Sequence, residues 1–383
     1  MSQEKHNGMT DFRPLLQDPA LSPTLPGFLY SDPATLEAEK RRIFHRSWQL
    51  VGHRSQFRDA GDYLTGELLG QKYLVLRDGE GAIRAFYNVC KHRAHELLQG
   101  QGNTRNAVVC PYHAWTYRLD GSLRTARGTE KMPAFEPADF GLAPIRLQER
   151  LGFLFICLDP EAPSLEESYE GLFEDMQAAM PWIEEAEVLD GFEMPSLSNS
   201  TLEANWKVLA ENCLECYHCS PAHPAFVDLV SIDGYSISSH GRWQKSYGPI
   251  KRNDNRAYPV PAEAPIQDAS FWHLFPNNQV GCMPGDRVAS AFMFTPITAE
   301  LTRLQFFLVA PPGQHPSAER LRYVGEVLWP EDEALCVSVH RGLQSQGYGQ
   351  GRFVMHPDRP GINENGVHHF QRSYAAAMGL GKG

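Results

Sequence analysis

Two short Cys-His pairs constrain this chain more than any other feature: Cys90-Lys91-His92 and, after 17 intervening residues, Cys110-Pro111-Tyr112-His113. Each pair sets a thiolate and an imidazole on one tight loop, so two facing loops can enclose an inorganic centre. Such a donor set suits tetrahedral zinc, and it suits a [2Fe–2S] cluster in which two histidines replace two cysteines on one iron. Zinc-finger spacing groups Cys with Cys and His with His, whereas each loop here carries one of each. The pattern therefore favours the two-iron cluster, with Cys90, His92, Cys110 and His113 as ligands. Pro111, Tyr112 and Trp115 would shape one loop and shield it from water, which tunes a reduction potential.

A chain of 383 residues is long enough for two domains. We expect an N-terminal tail and helix over 1–46, the helix running from Pro33 to near Trp48. A small all-β domain over 47–158 carries the four ligands, with hairpin turns at Asp78-Gly79-Glu80-Gly81 and Leu119-Asp120-Gly121-Ser122. A linker at Asp159–Pro163 leads to an α+β domain over 165–383, an antiparallel sheet with helices that opens on an acidic helical stretch from Leu165 to about Ile183. The residues around Met378–Gly383 read as a frayed tail.

The formal charge of −11 comes without a basic block, which argues against nucleic acid and leaves cationic substrates compatible. No apolar run is long enough to span a membrane, and no apolar h-region precedes Pro26. Eight cysteines in such a chain point to reduced thiols and metal ligands, hence to the cytoplasm.

A second chemistry-bearing stretch contains Glu211-Asn212, Glu215-Cys216-Tyr217-His218 and His223-Pro224. Trp206, Leu209, Ala210, Cys213, Leu214 and Tyr217 recur at helical spacing as an apolar stripe, with Glu211, Asn212, Glu215 and His218 on another face. His218 and His223 are five apart, which on a continuous helix turns them about 140° from one another. They can share a metal only if the helix stops between them, and Pro221 and Pro224 mark the stop, with His218 in the last turn. Two imidazoles and a carboxylate make the facial triad of non-haem Fe(II) sites. The alternatives are capping or packing histidines and, for Cys213, Cys216 and Cys219, a ferredoxin-like run. The helical context and the missing Cys-Pro favour buried structural thiols. Glu331, Asp332 and Glu333 open a later helix, where acids also favour the macrodipole, so the residues alone leave the carboxylate open.

Cys90-Lys91-His92-Arg93 and Cys110-Pro111-Tyr112-His113-Ala114-Trp115 resemble the two boxes of the Rieske non-haem iron oxygenases, and the likeness runs from Phe44–Trp48 to Arg372. It departs from the family at Lys91 and His95-Glu96, none of them a ligand. The resemblance implies a Rieske [2Fe–2S] cluster and a mononuclear Fe(II), and it maps His218 and His223 onto iron ligands. It maps Glu215 onto an acid, more often Asp, that bridges a cluster histidine of one subunit to an iron-ligand histidine of the next. His340-Arg341-Gly342-Leu343 resembles the family's Gln-Arg-Gly-Leu element, eight residues after its ligand Asp, which selects Asp332 with Glu331 and Glu333 as alternatives.

As the resemblance implies, the chain is an alpha (terminal oxygenase) subunit of a homotrimer. It would take electrons from an NAD(P)H-dependent flavin/iron–sulfur reductase and use O2 to hydroxylate a C–H bond of a small organic substrate. General similarity leans to the branch that demethylates glycine betaine and related quaternary ammonium compounds with release of formaldehyde. Ring hydroxylation of an aromatic substrate is the alternative within the family, and a Rieske electron carrier without oxygen chemistry is the alternative outside it. Trp272, Phe275, Phe292 and Phe294 are either strand core or a pocket wall whose aromatic faces hold a quaternary ammonium.

Overall fold

Asp32 opens the first helix: its carboxylate accepts the amides of Ala34 (3.1 Å) and Thr35 (3.2 Å), and Pro33 follows with φ already helical. The computed structural model describes residues 12–16, 18–356 and 358–381. The first eleven residues of the expected tail, and Lys382 and Gly383 of the expected frayed end, lie outside them. Helix α1 (Pro33–Arg42) stops short of the expected Trp48. One 3-10 turn, Phe44–Arg46, redirects the chain into strand β1 (Gln49–His53). Phe44 packs edge-on to Trp206, ring centroids 4.9 Å apart, while Trp48 donates its indole N–H to the Pro163 carbonyl at 3.0 Å. The two aromatics anchor in different cores, which a straight helix cannot serve.

Strands β2 (Asp62–Leu68), β3 (Gln71–Arg77), β4 (Ile83–Tyr87) and β5 (Gln101–Asn103) follow, then the short β6 (Val108–Val109), β7 (Thr116–Tyr117) and β8 (Leu123–Thr125), and finally β9 (Pro144–Arg150) and β10 (Phe153–Cys157). They form a seven-stranded antiparallel sheet in the order β1-β10-β9-β4-β3-β2-β5 and a three-stranded sheet β6-β7-β8. Both hairpins expected in this region form. The helical stretch expected over 165–183 is two helices, α2 (Leu165–Ser168) and α3 (Leu172–Ala179), because Gly171 between them takes a left-handed φ of +79°.

Past β11 (Glu187–Val188) and β12 (Ser200–Leu202) comes α4 (Trp206–Asn212), capped by the Asn205 side chain on the Lys207 amide at 3.0 Å. It is pinned by Glu39 of α1, whose carboxylate accepts from the Trp206 indole (2.8 Å) and from Lys207 Nζ (2.6 Å) with no side-chain exposure on either partner of the ion pair. Two one-turn helices, α5 (Cys219–Ala222) and α6 (Phe226–Leu229), lead to β13 (Ser236–His240), β14 (Trp243–Pro249), β15 (Asp268–Leu274), β16 (Asn278–Cys282), β17 (Ala289–Pro296) and β18 (Thr302–Ala310). With β11 and β12 on the β18 edge these make an eight-stranded antiparallel sheet. Helices α7 (Ala318–Tyr323) and α8 (Trp329–Leu343), joined by a π turn over Val324–Leu328, cross it, and α9 (Asn365–Met378) closes the fold by supplying a third donor, the Tyr374 hydroxyl, to Glu39 at 2.7 Å.

Successive residues of a strand face opposite ways, and both faces of the large sheet are covered. Trp272, Val280, Ala291 and Met293 pack with Trp48 just ahead of β1, with Phe153 and Phe155 of the first sheet, and with α2 and α3. The other face turns toward α4 and α8. Among the described residues no helix is long and apolar enough to cross a membrane.

Burial pushes His53 down to about 4 and His273 to about 3. An unfolded chain protonates its histidines near pH 6.5, so below that pH it takes up protons that these two rings refuse. Their depressed values make stability fall with pH, at pH 5 by about 2 kcal/mol per group relative to neutrality. The unfolding midpoint should be lower at pH 5 than at pH 7.5, and His273→Phe should narrow the gap; an unchanged gap would remove His273 from the account.

Candidate active site

The two Cys-His loops are copies of one conformation. In the β4–β5 connection the Cys90 amide donates to the His95 carbonyl (2.8 Å) and the Ala94 amide to Cys90 (3.0 Å); between β6 and β7 the Cys110 amide donates to Trp115 (2.8 Å) and Ala114 to Cys110 (3.0 Å). Ala94 and Ala114 take matching left-handed φ values of 56° and 57°. The result is a facing pair of turns with both thiols buried and the His92 and His113 rings 4.6 Å apart at an exposed edge. Trp115 stacks on His92 from the protein side, centroids 4.9 Å apart. Tyr117, which no spacing rule singled out, accepts the Lys91 amide at 2.9 Å, so its own hydroxyl proton is free for Cys90 Sγ at 3.2 Å. Hydrogen bonds to cluster sulfurs tune potential.

Downstream the structure corrects the sequence reading in two ways. Helix α4 ends at Asn212, so His218 is not in its last turn; His218 and His223 instead bracket the single turn of α5 as its two flanking residues. Tyr217 thereby leaves the apolar stripe and is exposed, and Glu211 turns away to accept from Tyr30 (2.6 Å) and Gln371 (2.9 Å). The expected reduced thiols are only partly so: Cys216, ahead of α5, is joined by a disulfide to Cys219, its first residue, and Cys213 is free.

The bracketed turn aims both imidazoles at α8. Asp332 Oδ1 lies 3.1 Å from His223 Nε2 and 3.5 Å from His218 Nε2, and one donor atom from each of the three residues falls within 4.8 Å of the others. The far nitrogens are tied to carboxylates as well, His218 Nδ1 to Glu215 and His223 Nδ1 to Glu331 at 2.8 Å. Glu331 thus sits behind an imidazole, and Glu333 is not among the gathered donors. The carboxylates at the two Nδ1 atoms fix the orientation of both rings and leave both Nε2 atoms facing Asp332. Burial disfavours the charged form of His218, but Asp332 and Glu215 outweigh it and lift its pKa to about 10; Asp332, also penalised by burial, is brought down to about 2 by the two rings. Two imidazoles and a carboxylate converging in this way fit a hard-to-borderline divalent cation such as Fe(II) with positions left open. His340, at the place of the family's Gln, accepts from Gln344 at 3.2 Å and lies away from this cluster.

A cavity of about 180 Å³ ends at these donors, walled by Tyr235, Phe271, Phe292, Phe306 and Trp329. Phe271 lies directly over Gly281, where a Cβ would fall 2.3 Å from its ring. Of the aromatics expected in a pocket only Phe292 reaches it. Trp272 is on the opposite face of β15, and Phe275 and Phe294 lie beyond the cavity in the core, both fully or nearly fully buried. Phe271, beside Trp272 on β15, and Phe306, the cross-strand partner of Phe292, complete the wall.

Residues 47–136 match the Rieske [2Fe-2S] domain, and residues 183–380, more than half of the chain, match the ring hydroxylating alpha subunit (catalytic domain). The chain belongs to the Rieske non-haem iron oxygenases. It is an oxidoreductase of the monooxygenase-containing branch, with a Rieske cluster and a mononuclear iron as its cofactors, and the four Cys/His donors and the His/His/Asp cluster fit those two groups. The carnitine monooxygenase oxygenase subunit of Acinetobacter baumannii is 35% identical over 364 residues, 94% of this chain and 95% of that one. The chloroplastic choline monooxygenase of Atriplex hortensis is 30% identical over 94% of this chain and 79% of its own length. A quaternary ammonium Rieske monooxygenase solved with L-carnitine superposes with a TM-score of 0.83 at 33% identity, covering 94% of this chain and 97% of that one.

Proposed function

We propose that the chain is the terminal oxygenase of a multicomponent Rieske system that hydroxylates a C–H bond next to a quaternary nitrogen, with oxidative N-demethylation as its reaction. The observation that carries this is the aromatic-walled cavity ending at His218, His223 and Asp332. The likeness to carnitine and choline monooxygenases over nearly the whole chain supports the same substrate class. In this reading Cys90, His92, Cys110 and His113 hold the cluster, and His218, His223 and Asp332 hold the iron. When bound, the two groups supply single electrons and the reductive activation of dioxygen.

The chain's own residues do the rest. Phe and Trp faces attract a trimethylammonium head, worth about 2 kcal/mol when desolvated, and their apolar surfaces keep bulk water away. Glu215 and Glu331 hold the protons at Nδ1 of His218 and His223 and so fix both rings. In this reading Glu215 also bridges to a cluster histidine of an adjacent subunit of a homotrimer, and the exposure of His92 and His113 supports it. The electron donor is an NAD(P)H-dependent flavin/iron–sulfur reductase in the cytoplasm. Hydroxylation of an N-methyl carbon consumes one O2, two electrons and two protons and releases water; the carbinol then breaks its C–N bond to give formaldehyde, a tertiary amine and a proton.

A surrogate reductase, NAD(P)H and a panel of methylated ammonium compounds and aromatic acids test this. Formaldehyde formed in step with substrate loss is the expected result. Trimethylamine in its place puts the attack on the chain carbon, and turnover of aromatic acids alone sinks the proposal.

A further inference from the structure

The C-x-x-C-x-x-C run is a sequence motif that neither redox centre uses, and two of its members are paired. Cys216 and Cys219 form a disulfide at a sequence separation of 3, while the other six of the eight cysteines are free. One such bridge is not a disulfide framework. A loop so short also does little for the fold at large, because the restriction a cross-link places on the unfolded chain is smallest for the shortest loops. Its effect is local, so the residues inside the loop decide what it acts on.

Those residues are Tyr217 and His218. The Cys219 amide donates to the Cys216 carbonyl at 3.1 Å, so the bridge and a backbone hydrogen bond close the same turn. Beyond it the Ala222 amide donates to the His218 carbonyl (3.0 Å) and the His223 amide to the Cys219 carbonyl (2.8 Å). Cys219 thus ties together the backbone of both histidines of the His/His/Asp cluster: its bridge encloses one, and its carbonyl holds the other. Cys216 and Cys219 are buried in one apolar cluster with Phe226, Tyr235 and Tyr323. The turn is still reachable, since Cys219 lines the cavity and Tyr217 and Ser220 are exposed. In a chain whose other thiols stay reduced, a lone bridge with C-x-x-C spacing belongs with those that open and close rather than those that staple a fold.

We propose that Cys216–Cys219 is a redox-controlled clamp on the iron-ligand turn. Bridged, it holds His218 and His223 in place against Asp332; opened by a dithiol, it lets the turn relax and weakens retention of the mononuclear iron. Opening moves two electrons and two protons from the dithiol to the bridge, giving two cysteine thiols and the donor's own disulfide. Hydrogen peroxide closes it again, taking two hydrogens from the thiols and leaving as two waters. The clamp rests on the reading of His218 and His223 as iron ligands and adds a control over their geometry.

Dithiothreitol is the dithiol for the test, applied anaerobically to the holoenzyme. Three quantities are read: alkylated cysteines counted by mass after denaturation, mononuclear iron lost to a ferrous chelator, and the reduced-cluster EPR signal as internal reference. Six alkylated cysteines should become eight, with the new labels on Cys216 and Cys219. Iron should be lost ~20-fold more readily, the factor by which closing a loop of about four residues restricts an open chain. The EPR signal should hold constant, and peroxide should restore slow loss. A Cys216→Ser/Cys219→Ser double variant should lose iron at the fast rate with or without dithiothreitol. Eight labels before treatment, a bridge that resists dithiothreitol, or one rate of iron loss in both states overturns the clamp. Cluster loss in step with iron overturns it too, since that marks a general loosening. If the double variant fails to assemble its cluster, the wild-type comparison decides alone. A protein with three irons per chain that fails these comparisons rejects the clamp and keeps the iron site; one with two irons rejects the iron site itself.

Discussion

Asp332→Ala leaves the red-brown Rieske chromophore in place and removes the third iron, with turnover down by more than ~10³-fold. Both Nε2 atoms converge on a single oxygen, Asp332 Oδ1, and the other carboxylates nearby are already committed to the far side of the rings. Without Asp332 two imidazoles face apolar walls, a poor site for a hard cation. A bound metal contributes several kcal/mol to a transition state, and each 1.36 kcal/mol is tenfold, which sets the ~10³ floor. Iron should fall from three atoms per chain toward two while visible absorbance per cluster stays constant. A variant that keeps the third iron would reject Asp332 as a ligand, and Glu331→Ala and Glu333→Ala then become the next tests.

Glu215→Gln is expected to keep most of its iron and lose ~10²-fold in turnover, near the upper end of what groups that orient metal ligands contribute. The carboxylate takes both the Nδ1–H of His218 and, at 3.1 Å, the His218 amide, so it fixes ring and backbone together. The amide of Gln can still meet the ring through its oxygen, but it carries no negative charge to hold a second imidazole. The readout that separates the two roles is a single-turnover experiment on prereduced enzyme. Slow decay of the reduced-cluster spectrum at normal iron content fits a bridge between subunits. Activity lost only in proportion to iron means that Glu215 orients His218 and nothing more.

The parts of the site readable from sequence are those fixed by short-range spacing. Cys-x-His and Cys-x-x-His each fit one turn, and the structure folds both turns alike, so the cluster loops were legible from their residues alone. His218 and His223 were legible as a pair, but not their geometry, because the end of α4 at Asn212 depends on tertiary packing around Glu39 that no local signal encodes. Asp332 is 109 residues from His223, and choosing it among three adjacent acids needs the rotation of α8. The π turn over Val324–Leu328 alters that rotation, and nothing in its sequence announces a π turn. The resemblance to a family supplied what spacing did not.

The aromatic wall was misread for a related reason. Phe271–Phe275 is apolar at nearly every position because both faces of β15 are covered, so the alternation that would separate wall from core is absent. Register resolves it. Phe271, Gly281, Ser290 and Leu308 are cross-strand partners on the cavity face, while Trp272, Val280, Ala291 and Phe307 are partners on the other.

The two faces of that sheet separate two kinds of change. Substitutions at Phe271, Phe292 or Phe306 reshape the chamber from the face opposite Trp272, Val280 and Met293. Substitutions at Trp272, Val280 or Met293 loosen the joint between the sheet and the Rieske strands and leave the chamber's outline alone. Substrate range can therefore drift along one side of the sheet while the mechanical alignment of the two redox domains is preserved by the other, which makes this wall a natural place for descendants of one scaffold to diverge in what they oxidise.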